Sequence, residues 1–285
     1  MLRQRRRISL CTLALALALA ACGTLSVQEE KQMGAQAQAQ LRKQLTFVRD
    51  PVTVNYVRNF GASLAKAARP SPFEFRFYVV EDETLNAFAI PGGAMYVNTG
   101  LLLAVENSAE LASVLAHEMG HVTARHVAKM ANRGRNTGFV ANIFSFIVYV
   151  LTGSPLLANV GSMGSQVAGS AYMNTYTRDA EREADGLAVE TMVHAGWNPE
   201  GMVTMFETLK KESGGYDGPQ FLSSHPATDE RIENVQHDIA KYPGATNLKY
   251  DDKKLPIIQE RLKLIVGTDH DRPTDDEEAE PDDEE

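Results

Sequence analysis

Asn107-Ser108-Ala109-Glu110-Leu111-Ala112-Ser113-Val114-Leu115-Ala116-His117-Glu118-Met119-Gly120-His121-Val122 reads as a helix with two histidines and a glutamate set among apolar residues. Asn107 is a good N-cap, and Glu110 stands at N3 in capping-box spacing. Leu111, Val114, Leu115 and Val122 recur at helical period, which predicts a largely buried helix over 108–131. His117 and His121 are four residues apart, so they project from nearly the same face one turn apart. Two imidazoles placed this way both reach a tetrahedral Zn²⁺ at about 2.0–2.1 Å. Glu118 is rotated about 100° from His117 on such a helix. There it reaches a water on the metal without ligating the metal, which suits a general base. Imidazoles among apolar neighbours need partners, and a metal supplies one.

A catalytic site needs a third protein ligand and an open fourth position. Downstream, Glu181-Arg182-Glu183-Ala184-Asp185 opens a second helix predicted over 178–195, closed by Gly196 and Pro199. Glu181 and Asp185 are again one turn apart. Glu181 would complete a His₂Glu set, and Asp185 would accept from the far nitrogen of a ligand histidine and fix its tautomer. Glu183 points elsewhere and reads as a solvated carboxylate. His126, His194, His237 and His270 read as structural or solvent-facing.

Around these helices the pattern predicts an α+β fold, mainly helical with a small sheet. Met33, Ala37, Leu41 and Leu45 recur every four residues, favouring a first helix over a flexible tether. Asp50-Pro51 starts an amphipathic helix running to Ala68. Phe73, Phe75, Phe77 and Val79 alternate with Glu74, Arg76 and Tyr78, which predicts a strand with one buried face. Asn86–Ile90 and Ala94–Asn98 flank Pro91-Gly92-Gly93 as a hairpin or a strand–turn–strand. Shorter helices are expected at 200–212, 227–241 and 256–265. The apolar run from Phe139 to Leu151 is too short to span a bilayer and reads as a buried helix covering the site, or else as a mobile lid or membrane-surface element. No 34-residue helical repeat is visible.

The ends differ from the body. Residues 1–21 carry Arg3, Arg5, Arg6 and Arg7 and then an apolar core, the layout of an export signal. It closes Leu19-Ala20-Ala21-Cys22, which resembles the lipobox of bacterial lipoproteins, so Cys22 is the expected lipidation site. Gly23, rather than Asp, favours the outer membrane by resemblance to bacterial sorting rules. Residues 22–267 form the expected domain, with a core at about 46–245, and 268–285 an acidic, disordered tail. From Asp269 on there are eleven acids against Arg272; with the signal's arginines set aside, the net charge of −9 leaves about −3 for the body. A body this near neutral gives no electrostatic reason to expect nucleic acid. The two cysteines are Cys11, inside the signal, and Cys22, so no disulfide is expected in the domain.

The chain resembles the gluzincin zinc metallopeptidases that include HtpX, BepA, mitochondrial Oma and the CAAX prenyl endopeptidases. The resemblance covers about 26–245. It rests on Asn86-Ala87-Phe88-Ala89-Ile90-Pro91-Gly92-Gly93, Gly100-Leu101-Leu102, Glu110-Leu111-Ala112 leading into His117-Glu118-Met119-Gly120-His121, Glu181 through Asp185, and Ser224-His225-Pro226 followed by Arg231. It implies a zincin-type domain with one zinc ion held by His117, His121 and Glu181, Glu118 as base, and Asp185 behind a ligand histidine. In some relatives the histidine matching His225 caps the zinc or would steady an oxyanion, with Arg231 supporting its loop. The expected function is cleavage of polypeptide substrates at the bacterial outer membrane, facing the periplasm, with envelope assembly machinery as a further partner. The alternative is an assembly or chaperone lipoprotein whose zinc is structural.

Overall fold

A computed structural model describes residues 25–134, 176–212 and 220–269. The export signal, Cys22, the 139–151 run, His270 and the acidic tail beyond Asp269 lie outside these residues. α1 (Val27–Gln44) begins at a complete capping box between Ser26 and Glu29 and buries Ala37 and Leu41. α2 (Pro51–Ala67) follows, capped by Asp50, whose side chain accepts from the Thr53 N–H at 2.9 Å.

Three strands come next: β1 (Arg76–Val80), β2 (Ala87–Ala89) and β3 (Ala94–Asn98). β3 is central, parallel to β1 and antiparallel to β2. The strand expected over 73–79 starts only at Arg76, which pairs with Ala94, the first residue of β3. Residues before it face the Gly92–Gly93 turn, where no ladder partner exists. Both glycines have φ near +90° (88° and 90°), a conformation side chains resist. The expected alternation holds through Val79, with Phe73, Phe77 and Val79 buried, Glu74 and Arg76 exposed and Tyr78 half-buried, but further along the sheet the second face is covered too. Phe77, Val79, Met95 and Val97 pack with α2 and the helix α4 (Ser108–Thr123). Val80, Phe88, Ala94 and Tyr96 pack with α1 and α5 (His126–Gly134). On that second face Tyr96 stacks on Tyr78 at 5.2 Å and on Phe88 at 4.8 Å.

α3 (Thr99–Ala104) links the sheet to α4. Asn107 caps α4 as expected, but Glu110 returns its carboxylate to the Glu106 N–H (2.9 Å) rather than to the cap's own N–H. The helix expected over 108–131 is two helices. α4 stops at Thr123 and α5 starts at His126, with Arg125 between them at φ 56°.

The remaining helices are α6 (Arg178–His194), α7 (Glu200–Glu212), α8 (Gln220–Ser224), α9 (Asp229–Ile239) and α10 (Leu255–Asp269). α9 is shorter than the expected 227–241, since Thr228 caps it. α10 runs to Asp269, past the expected 265 and into the span read as tail. α6 lies along α4, and α7 and α9 pack beside them. Among the described residues no helix is long and apolar enough to cross a membrane.

Candidate metal centre

α4 is buried from Ser108 to Val122, so its polar side chains answer to neighbouring helices rather than to water. The decisive neighbour is α6. Its approach is set at Gly120, where an added Cβ would lie 2.9 Å from the Ala184 carbonyl oxygen. That close contact brings Glu181, one turn earlier on α6, over the two histidines.

His121 Nε2 lies 3.0 Å from His117 Nε2 and 3.4 Å from Glu181 Oε1. His225, just after α8, brings its Nδ1 to 3.2 Å from His117 Nε2 and 2.9 Å from Glu181 Oε1. A tetrahedron of 2.0–2.1 Å bonds has donor–donor edges of about 3.3–3.4 Å. Those four contacts are near that edge length, and the donor atoms of His117, His121, Glu181 and His225, all buried, lie within 4.8 Å of one another, a cluster that could hold one metal ion. Glu118 stands beside them. Its Oε2 accepts from the Ala89 N–H of β2 at 3.0 Å, and its Oε1 lies 3.4 Å from His225 Nε2, buried without a hydrogen bond.

The surroundings hold this set in place. His117 Nδ1 lies 2.9 Å from Asp185 Oδ1, the contact the spacing of Glu181 and Asp185 suggested. Arg231 clamps Asp185 through Nε (2.8 Å) and Nη2 (2.6 Å), and its Nη1 reaches Glu181 Oε2 (2.9 Å) and the Pro226 carbonyl (3.0 Å). The arginine therefore supports the His225 loop, as expected, and also both carboxylates, which the sequence did not suggest. Burial opposes ionisation of Glu181, but His225, His117 and His121 hold it well below the carboxylate range. Burial likewise opposes ionisation of Asp185, and Arg231 and His117 outweigh it and lower its pKa. Burial works against an imidazolium at His117, yet Asp185 and Glu181 push it up to about 9. Burial drives His121 well below the usual range, toward the neutral form that ligates metals. Burial raises Glu118. Two ionised carboxylates facing three crowded imidazoles make a pocket that holds positive charge, and hard–borderline N₃O donors of this geometry fit zinc.

The family model described as Peptidase family M48 matches residues 51–239. The chain belongs to peptidase family M48. The matched span opens at Pro51, the first residue of α2, and closes at Ile239, the last of α9, so it contains every donor described above. Among M48 relatives, the chain is 28% identical over 209 residues (72% of this chain, 43% of the relative) to the beta-barrel assembly-enhancing protease of Escherichia coli K12. A Vibrio cholerae relative, provisionally given the same name, is 32% identical over 230 residues (76% and 46%). The mitochondrial metalloendopeptidase OMA1 of Saccharomyces cerevisiae is 26% identical over 218 residues (71% and 60%). The chain spans about half the length of the bacterial relatives it matches.

The other histidines divide. His194 and His237 face solvent, as read from the sequence. His126 is buried, with its Nδ1 2.9 Å from His121 Nδ1 and its Nε2 3.1 Å from Glu183 Oε2. Glu183 is half exposed and also takes Lys129 at 2.8 Å, so it is not the purely solvated carboxylate expected. Nothing in the helical period of 108–131 could have found this contact, because it depends on the break between α4 and α5.

Proposed function

We propose that this chain is a zinc-dependent endopeptidase of the bacterial cell envelope that cleaves misfolded or misassembled envelope proteins. The observation that carries this is the convergence of His117 Nε2, His121 Nε2 and Glu181 on one point with the Glu118 carboxylate alongside. Zinc held there supplies a Lewis acid for a scissile carbonyl and makes water acidic near neutral pH. Glu118 takes the water's proton and hands it to the leaving amine. Asp185, its Oδ1 2.9 Å from His117 Nδ1, orients that ring from behind. The substrate backbone pairs with the outer edge of β2, whose Ala89 N–H already touches Glu118. Backbone pairing reads side chains weakly, which suits unfolded substrates.

His225 is the latch in this reading. Its Nδ1 at the fourth corner keeps the enzyme latent, and moving it away opens a position for substrate. The acylated Cys22 would anchor the chain to the outer membrane facing the periplasm, near envelope assembly machinery. The lipobox-like Leu19–Cys22 and the beta-barrel assembly named for the Escherichia coli relative support that address. The test is Glu118→Gln in a casein-type assay and in cells. Zinc stays bound and cleavage stops; unchanged cleavage would remove the peptidase assignment.

The same fourth corner favours a second reading, an assembly or chaperone lipoprotein with a closed structural zinc. His225→Ala separates the two. A latch gives more cleavage with zinc retained, whereas a structural ligand gives weaker zinc and no cleavage.

A further inference from the structure

His121 faces two ways. Its Nε2 looks into the donor cluster, while its Nδ1 points out of it at the Nδ1 of His126, 2.9 Å away. Two ring nitrogens at that distance share one proton. We infer that His126 is a positioning residue for the metal centre, accepting the Nδ1 proton of His121 and being itself fixed by Glu183. The inference rests on His121 being a zinc ligand, as proposed above.

The proton bookkeeping leaves one arrangement. A neutral imidazole carries its hydrogen on one nitrogen. If the Nε2 lone pair of His121 faces the metal, its hydrogen is on Nδ1 and His126 Nδ1 accepts. The hydrogen of His126 is then on Nε2, which lies 3.1 Å from Glu183 Oε2, an acceptor. Glu183, His126 and His121 thus form a line in which each proton has one place. His117 has a carboxylate directly beside it, with Asp185 Oδ1 at 2.9 Å from its Nδ1 as a close charge contact rather than an aligned hydrogen bond. The two histidines of α4 are therefore each backed by a carboxylate, one directly and one through an interposed imidazole.

The backbone supports a dedicated role. On an uninterrupted helix, a residue five positions after His121 would lie about 140° round, away from it. The break between α4 and α5 turns His126 back. That turn places Arg125 at φ 56°, a left-handed conformation that a non-glycine residue adopts at a cost. Arg125 is held there by Nε donating to Glu30 Oε1 at 2.6 Å and by a hydrogen bond from its Nη2 to the Leu25 carbonyl. His126 itself is 1% exposed, so its position is fixed on every side.

The test uses the full chain, with zinc affinity read by competition with a chromophoric chelator and the unfolding midpoint read in zinc and in EDTA. His126→Phe keeps a ring without nitrogens and is expected to weaken zinc about 10- to 100-fold. His126→Asn offers an amide oxygen near the place of Nδ1 and should recover most of that loss. Glu183→Ala, on a half-exposed residue, should weaken zinc by a smaller factor and leave the EDTA midpoint unchanged. A residue that merely fills space would lower both midpoints equally and leave zinc affinity alone. Wild-type affinity in His126→Phe, or equal losses in Phe and Asn, overturns the inference. If His126→Phe does not fold, His126→Asn with weak zinc or Glu183→Ala with unchanged zinc overturns it equally. A wild-type chain that binds no zinc would instead sink the reading of His121 as a ligand.

Discussion

Gly120 of α4 and Ala184 of α6 touch through their backbones, with the Gly120 Cβ position 2.9 Å from the Ala184 carbonyl oxygen and 3.1 Å from its Cα. The histidines on one helix and Glu181 on the other could hold a common metal only at this separation. Gly120→Val should force the helices apart, costing about 1–3 kcal/mol in stability and at least tenfold in zinc affinity. Urea unfolding and chelator competition read the two effects. Wild-type zinc affinity in this variant would show that the close approach does not set the site.

Arg231 answers two buried carboxylates at once, Asp185 and Glu181. Removing one partner of a buried ion pair leaves an uncompensated charge, at a cost of about 3–5 kcal/mol. Arg231→Ala should therefore be among the most destabilising single changes in the chain. Arg231→Lys cannot make the paired contact with Asp185 and should fall between Ala and wild type. Urea denaturation of the three proteins orders them; equal stability of Lys and wild type would contradict the role of the bidentate geometry.

At Arg125 the backbone and the side chain make separable contributions. Arg125→Ala and Arg125→Gly both lose the contact with the buried Glu30. Only alanine also keeps a Cβ in the left-handed conformation, which costs roughly 1–2 kcal/mol. Arg125→Gly should thus be more stable than Arg125→Ala by about that amount in urea. The reverse order would mean that the turn relaxes and φ 56° is not enforced.

Asp50 caps α2 and pairs with Arg261 of α10, which is the main reason its pKa is held well below the carboxylate range. A depressed folded pKa gives stability that is present above the unfolded value of about 3.9 and is lost as pH falls toward the folded one. Asp50→Asn keeps a good cap but loses the charge. It should melt below wild type at neutral pH, and the gap should close as pH drops below about 4. Thermal melts of both proteins in EDTA at several pH values test this; a gap independent of pH would exclude the ion pair as its source.

What the sequence determined by itself is whatever a single helix fixes. Rise and rotation per residue place His117, Glu118 and His121 relative to one another wherever α4 lies, and they place Glu181 against Asp185 on α6 in the same way. The caps Asp50, Asn107 and Thr228 act within three residues, so helix starts were legible or nearly so. The β1 start was not, because a strand begins where its partner begins, and Ala94 is the partner of Arg76. Burial of the sheet's second face was equally hidden, since it depends on where α1 and α5 lie.

The site divides along the same line. His225, 108 residues beyond His117, entered through a motif, and only packing brings its Nδ1 to 3.2 Å from His117 Nε2. Arg231 reaches Asp185 across 46 residues, a contact with no sequence period. His126 is five residues from His121, yet the helical rule points it away. Local geometry is set by bonds along the chain, while these contacts are set by which helices can approach one another, and here that was decided by a glycine opposite a carbonyl and by one arginine in a left-handed turn.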